Sequence, residues 1–217
     1  SHCYHTKFFD TADKARFSGA IHTTIHPHNA LEESKKIVAE AVEGFARRDL
    51  KRVQIPGEPV DIMTGFSNEA VIAALGGSLT PLIDAIKAGS IRGAVAIVGC
   101  NNPKFQQDSM NVGLAKELIK KDILVLATGC VTTAAGKAGL LVPEGAEMAG
   151  PGLKAVCGAL GIPPVLHYGS CVDNSRILQF CAALANELGV YISDLPVGAS
   201  SPEWFSEKAA AIGLYAV

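Results

Sequence analysis

Three short segments of this chain, each with a glycine near its end, finish in a cysteine. The segments read AIVGC, LATGC and HYGSC, and their cysteines are Cys100, Cys130 and Cys171. Thiolates are soft ligands, and several of them at one place usually indicate a bound metal. These cysteines lack the CxxC spacing of a zinc site, which favours an iron–sulfur cluster held by separate turns. A single such cysteine would be explained by packing, because cysteine is small and often buried. Three in succession favour a shared metal site.

Other residues have weaker claims to a site. Cys157 and Cys181 lie among apolar residues in helical patterns, which predicts that both pack in the core. Cys3 lies in an irregular segment and stays unassigned. His167 precedes the third cysteine, and two interpretations of it stay open. In one interpretation, His167 supports the metal site through a hydrogen bond without binding the metal itself. In the other, it is a buried histidine whose hydrogen-bond partner has nothing to do with the site.

The elements that must position the three cysteines are alternating strands and helices. Strand-like segments cover 93–100, 123–130 and 163–171, and helical patterns lie between and after them. This alternation predicts an α/β fold, a Rossmann-like parallel sheet with helices on both faces. Ligands of such sheets bind beyond the carboxyl ends of the strands, where all three cysteines are expected. No GxGxxG motif follows the first strand, which argues against a dinucleotide site.

The remaining sequence suggests two parts. Residues 1–53 are expected to be an irregular segment plus a helix that begins near Asn29, the tail of a preceding domain. Residues 54–217 are expected to form the Rossmann-like α/β domain that carries the cluster ligands, incomplete at its C-terminus. Within it, VDIMTGF predicts a short strand. The following segment predicts two helices, the first capped by Ser67, with the break at Gly76 and Gly77.

Composition narrows the class of protein. The chain has 217 residues, of which 48% are hydrophobic, enough for one good core. The formal net charge is −2 and no run of like charges occurs, so nothing favours nucleic acid or an anionic membrane as a partner. No segment has the length and apolarity of a transmembrane helix, and no signal peptide is evident. Six cysteines in so apolar a chain predict thiols in the reducing cytoplasm rather than disulfides. The absence of an initiator Met suggests a fragment of a longer protein.

Longer motifs resemble a known family. VGCNNPK, LATGC and VLHYGSCVDNSRIL are similar to the C-terminal half of the anaerobic nickel–iron carbon monoxide dehydrogenases, and the similarity runs from CYHTK at Cys3 to the end. These enzymes belong to the carbon monoxide dehydrogenase/hybrid-cluster protein superfamily. They interconvert CO and CO2, with water, two protons and two electrons, at a nickel–iron–sulfur centre called the C-cluster. The resemblance implies a cytoplasmic homodimeric oxidoreductase with a ferredoxin-like electron acceptor. It also implies further 4Fe-4S clusters outside this chain and a possible acetyl-CoA synthase partner.

The resemblance assigns roles to individual residues. Cys100 and Cys130 would each bind an iron of the C-cluster, and Cys171 would bind nickel. In SPEWFSEKAAAIG, Lys208 matches the catalytic lysine that donates a hydrogen bond to an oxygen of bound CO2 or hydroxide. Ile212 matches an apolar residue of the gas-binding pocket. From the residues alone, Lys208 would be a solvated helix lysine and Ile212 a core residue.

The family's site also needs a histidine and two further cysteines from upstream sequence, so the isolated chain is expected to be inactive.

Two other functions compete with that of a carbon monoxide dehydrogenase. The hybrid-cluster proteins, which are hydroxylamine reductase-like, share a similar fold and cysteine turn, although VGCNNPK and GSCVDNSR favour the dehydrogenase. The non-enzyme alternative is a Rossmann-like domain whose thiols are merely buried.

Overall fold

The computed structural model describes residues 25–46, 49–52, 57–102 and 104–203. The chain divides into two compact units between Pro59 and Val60. In the first unit, helix α1 (Ala30–Ala46) begins directly after Asn29, as the sequence predicts, and a 3-10 turn covers Leu50–Arg52. The second unit contains the sheet and the three cysteines of the predicted metal site, Cys100, Cys130 and Cys171.

The second unit begins with two short helices. Ser67 caps the first, because its Oγ accepts a hydrogen bond of 3.2 Å from the backbone N–H of Ala70. The break falls at Gly76 and Gly77, as predicted, where φ is +79° and +84°. The elements follow in the order α2 (Asn68–Ala74), α3 (Thr80–Lys87), β1 (Gly93–Ile97), α4 (Ser109–Ile119), β2 (Ile123–Thr128), α5 (Cys130–Lys137), α6 (Pro151–Leu160), β3 (Val165–Gly169), α7 (Asn174–Leu188) and β4 (Val197–Ser200). Short 3-10 turns cover Pro143–Met148, Cys171–Asp173 and Ile192–Asp194.

The four strands of the described residues form one parallel sheet in the order β3-β2-β1-β4. The chain steps outward from β1 to β3, and then returns after α7 to place β4 on the other side of β1. This arrangement confirms the predicted α/β, Rossmann-like sheet. The sequence did not reveal β4, because its four residues are short of apolar side chains and mostly exposed.

Helices cover the sheet on both faces. Leu124 and Leu126 of β2 line an apolar cavity of about 270 Å³ together with residues of α3, α6 and α7. Val125 and Ala127 alternate with them, so they point to the opposite face, and both are fully buried. Helices α4 and α5 also pack against β2. A strand buried on both faces explains the continuous apolar run from which it was predicted.

The strand predicted at VDIMTGF, over residues 60–66, does not form. Met63 donates a backbone hydrogen bond to the carbonyl of Leu141, but Val60 and Ile62 are more than half exposed, so the segment lacks the burial of a sheet strand. On α7, Ile177 and Leu184 are buried, whereas Leu178 is 61% exposed. Within the described ranges, no helix combines the length and apolarity needed to cross a membrane.

Candidate functional site

The three predicted cysteines lie at one edge of the sheet. Cys100 follows β1 after Val98 and Gly99, Cys130 is the first residue of α5 directly beyond β2, and Cys171 opens the 3-10 turn beyond β3. Because these strands are parallel neighbours, their carboxyl ends meet at the same edge. All three cysteines are partly buried. The structure therefore brings together residues that are 71 positions apart in sequence, from Cys100 to Cys171.

The turns that carry the cysteines touch one another. The backbone N–H of Cys130 donates to the carbonyl of Gly99 at 3.2 Å, and the N–H of Gly129 donates to the carbonyl of Gly169 at 3.1 Å. A Cβ added to Gly129 would lie 3.4 Å from the Cβ of Cys171. The central turn is thus in direct contact with the turns on both sides of it.

Glycine is required in each of the three turns. Gly99, Gly129 and Gly169 have φ of +106°, +65° and +130°, a region that side chains with a Cβ rarely adopt. At Gly169 a Cβ would also meet the carboxylate of Asp173 at 2.5 Å. These glycines let the chain turn sharply at the end of each strand, so each cysteine stays near the carboxyl end of its strand.

Polar side chains hold the Cys171 turn in place. Ser170 and Asp173 form a capping box, in which the Ser170 N–H donates to Asp173 Oδ2 at 2.7 Å. Thr128, fully buried at the end of β2, donates its hydroxyl to Asn174 Oδ1 at 2.7 Å. These bonds give a structural reason for the Asp and Asn of the GSCVDNSR motif, and they tie the Cys171 turn to the strand that leads to Cys130.

A buried carboxylate, which sequence analysis did not predict, holds the Cys100 turn. Glu203, beyond β4, is 1% exposed. Its oxygens accept hydrogen bonds from Asn101 Nδ2 and from the backbone N–H groups of Asn102, Met110 and Asn111. Burial alone would raise the pKa of Glu203, but these hydrogen bonds outweigh it and lower the pKa below its usual value.

The donor set fits a metal cluster better than a single ion. Three thiols on adjacent strands suit an iron–sulfur cluster, and neighbouring strands are about 4.8 Å apart. In the parts of the chain that the structure describes, no three His, Cys, Asp or Glu side chains are close enough to hold one metal ion. Thiols spread along a sheet edge can instead each bind a different metal atom of one cluster. The glycine turns keep that edge free of side-chain bulk.

The remaining predicted residues fall into three groups. His167 lies on β3 and lines a polar cleft with Asp173 and Arg176, next to the Cys171 turn. Cys157 is 1% exposed and burial raises the pKa of its thiol to about 11, which confirms core packing. Cys181 is partly buried against the core, as predicted, and burial raises the pKa of its thiol too.

The predicted Lys208 and Ile212, together with the unassigned Cys3, lie outside the described residues.

Comparisons with known proteins agree on one family. The sequence profile of the Prismane/CO dehydrogenase family matches residues 1–217. The chain is 57% identical over 215 residues to carbon monoxide dehydrogenase 1 of Methanosarcina acetivorans, covering 99% of the chain and 34% of that protein. It is 48% identical over 229 residues to the carbon monoxide dehydrogenase of Rhodospirillum rubrum, covering 99% of the chain and 36% of that protein.

A solved structure agrees with the sequence relatives. The nickel-free carbon monoxide dehydrogenase of Thermococcus sp. AM4 matches with a TM-score of 0.85 and 52% identity, over 94% of this chain and 32% of that one. The chain therefore spans about a third of the length of the curated relatives and of this solved structure.

Proposed function

The chain belongs to the Prismane/CO dehydrogenase family, and from this premise we propose that it is part of a nickel–iron–sulfur carbon monoxide dehydrogenase. The proposed reaction oxidises CO with water to CO2, two protons and two electrons, and it is reversible. The names and identities of the relatives support it. Because the chain spans about a third of those proteins, we propose that it works within a longer polypeptide and is inactive alone.

One observation carries the proposal: three glycine–cysteine turns touch at a single edge of the sheet. In the proposed site, Cys100 and Cys130 each bind an iron of the C-cluster and Cys171 binds the nickel. When bound, the cluster supplies a nickel that accepts CO and an iron that activates water. The contacts between turns fix the spacing of the three thiolates before any metal arrives, which favours one cluster geometry over others.

Other residues of the chain would act on the substrates. We propose that the Lys208 ammonium donates a hydrogen bond to an oxygen of CO2 and stabilises the negative charge that develops there. Ile212 would restrict the gas-binding pocket to a small ligand. His167 would support the site from the cleft beside the Cys171 turn. Both Lys208 and Ile212 are assigned from the match of SPEWFSEKAAAIG to the family.

The wider setting is also proposed. We infer a cytoplasmic homodimer that passes electrons through further 4Fe-4S clusters, held by other parts of the polypeptide, to a ferredoxin-like acceptor. We also propose an acetyl-CoA synthase partner, which is supported by the match of this chain to a structure of acetyl-CoA synthase/carbon monoxide dehydrogenase with a TM-score of 0.80 and 38% identity. Residues 1–53 would be the tail of a preceding domain and residues 54–217 the domain that carries the ligands.

The experiment that tests the function uses the intact protein, purified without oxygen. It should contain iron and nickel and should reduce an artificial electron acceptor when CO is supplied. Iron without nickel, with reduction of hydroxylamine, would favour a hybrid-cluster protein instead. A colourless protein without iron would favour a non-catalytic domain.

Lys208→Ala separates catalysis from metal binding. Removing one preorganised donor lowers turnover by about 10²–10³-fold, so the variant should keep iron and nickel while losing most CO oxidation. Lys154→Ala is the matched control, because Lys154 is a surface lysine on α6 that pairs with Glu147. Turnover of Lys208→Ala within a few-fold of the control, with metals verified, would remove Lys208 from the mechanism.

A further inference from the structure

We propose that Glu203 is a positioning residue for Cys100: its buried carboxylate fastens the turn that carries this cysteine to the first turn of α4. The role assigned to Cys100 rests on the proposed function, in which this thiolate binds a metal. The fastening itself rests on contacts in the described structure. By its residue type alone Glu203, which follows Ser201 and Pro202, would be expected at the surface.

Four donors converge on the one carboxylate. Glu203 Oε1 accepts from the N–H groups of Met110 at 3.0 Å and Asn111 at 3.1 Å. Oε2 accepts from Asn101 Nδ2 at 3.1 Å and from the Asn102 N–H at 3.3 Å. One oxygen therefore serves the helix and the other serves the cysteine turn, so the carboxylate acts as a bridge between them. An ionised carboxylate only accepts hydrogen bonds, which matches a pocket made entirely of donors.

Helix α4 needs this cap. Met110 and Asn111 lie in its first turn, where backbone N–H groups have no partner within the helix. Its own N-cap residue, Asp108, has φ of +65° and makes no side-chain capping bond. Glu203 supplies the missing acceptor from more than ninety residues away in sequence, and its negative charge suits the positive end of the helix.

The same hydrogen-bond network extends to α5, the helix that begins at Cys130. Asn101 Nδ2 also donates to Asp108 Oδ1 at 2.9 Å, and Asp108 forms an ion pair with Lys137. Lys137 is the last residue of α5. The carboxylate of Glu203 thus lies at the end of a chain of polar contacts that links the Cys100 turn to α4 and α5.

The backbone beside Glu203 is anchored to β1. Strand β4 pairs with β1 up to the register of Ile97 with Ser200, and the Ser201 hydroxyl donates to the Val98 carbonyl at 2.7 Å. Glu203 therefore enters the Cys100 turn from a fixed position on the neighbouring strand. It also precedes the proposed Lys208 by five residues in the sequence.

The test compares Glu203→Gln with Glu187→Gln in the intact protein. Glu187 is exposed near the end of α7, so its variant controls for the loss of a charge. In Glu203→Gln, one carboxylate oxygen is replaced by an amide NH2, which cannot accept a hydrogen bond from the N–H groups around it. The Cys100 turn should therefore be held less firmly. We expect hydrogen exchange at the amides of Asn102, Met110 and Asn111 to become about tenfold faster or more, while β2 stays protected. Iron occupancy should fall, and the electron paramagnetic resonance signature of the reduced cluster should change, with the control unaltered.

The outcomes separate positioning from simple stabilisation. Faster exchange with an unchanged cluster signature and full metal content would overturn the proposal, as would unchanged exchange. If Glu203→Gln does not fold, Asn101→Ala removes a single donor and decides the question by the same measurements. If the wild-type protein holds no nickel or iron, the proposed function fails. The exchange rates then decide separately whether the carboxylate fastens the turn.

Discussion

Gly129→Ala perturbs the contact between the three cysteine turns at its centre. The backbone at Gly129 has φ of +65° and ψ of −137°, a combination that residues other than glycine adopt at a cost of about 1–3 kcal/mol. The new methyl would lie 3.2 Å from the Gly99 carbonyl oxygen and 3.4 Å from the Cys171 Cβ. The neighbouring turns must move apart by a few tenths of an ångström. We expect the intact variant to lose most of its nickel and iron, because the thiolates would no longer share one cluster geometry.

Gly139→Ala is the matched control. Gly139 follows α5 with φ of +71°, so an alanine there meets a similar backbone strain of about 1–2 kcal/mol. A Cβ at that position meets nothing within 4 Å. Both variants should therefore unfold at a lower temperature than the wild type, and only Gly129→Ala should lose metal, measured by elemental analysis. Normal metal content in a folded Gly129→Ala protein, or equal metal loss in both variants, would refute the reasoning.

Three further predictions test separate parts of the account. Cys171→Ala should remove nickel and CO oxidation while much of the iron remains, as measured by elemental analysis, and normal nickel would refute the assignment of this thiolate. Cys157→Ala should leave the metals in place and lower the free energy of unfolding by about 1–2 kcal/mol, because it leaves a small cavity in the core. The ionised Glu203, whose pKa is lowered, should stabilise the fold at neutral pH and lose this effect as the pH falls below 4.5 and through the lowered pKa. The difference in thermal midpoint between wild type and Glu203→Gln should therefore shrink on acidification, and a constant difference would contradict it.

The sequence predicts the strands and the edge on which the cysteines lie, for a clear physical reason. A strand buried on both faces must be apolar along its whole length, as in ILVLATGC, and its end is marked by a glycine that turns the chain. Parallel strands joined by helices then bring successive cysteines to one edge. These features are local, so they can be read from neighbouring residues.

The features that sequence patterns missed depend on contacts between distant segments. Strand β4 is short and exposed, and it joins the sheet through pairing with β1 rather than through its own apolar side chains. The segment 60–66 has the composition of a strand, but it pairs with no strand of the described sheet and is linked to a distant segment by the hydrogen bond from the Met63 N–H to the Leu141 carbonyl. Glu203 resembles a surface residue because all four of its donors lie about ninety to a hundred positions away. The pair Asn101-Asn102 after Cys100 was the only signal that polar contacts organise this turn.

Anomalous diffraction from crystals of the intact protein, recorded at the iron and nickel absorption edges, tests the central claim most directly. We expect one cluster at the edge formed by the ends of β1, β2 and β3. Iron should lie within bonding distance, about 2.3 Å, of the sulfurs of Cys100 and Cys130, and nickel at a similar distance from the sulfur of Cys171. Metal bound elsewhere in the protein, with these three sulfurs free of it, would contradict the account.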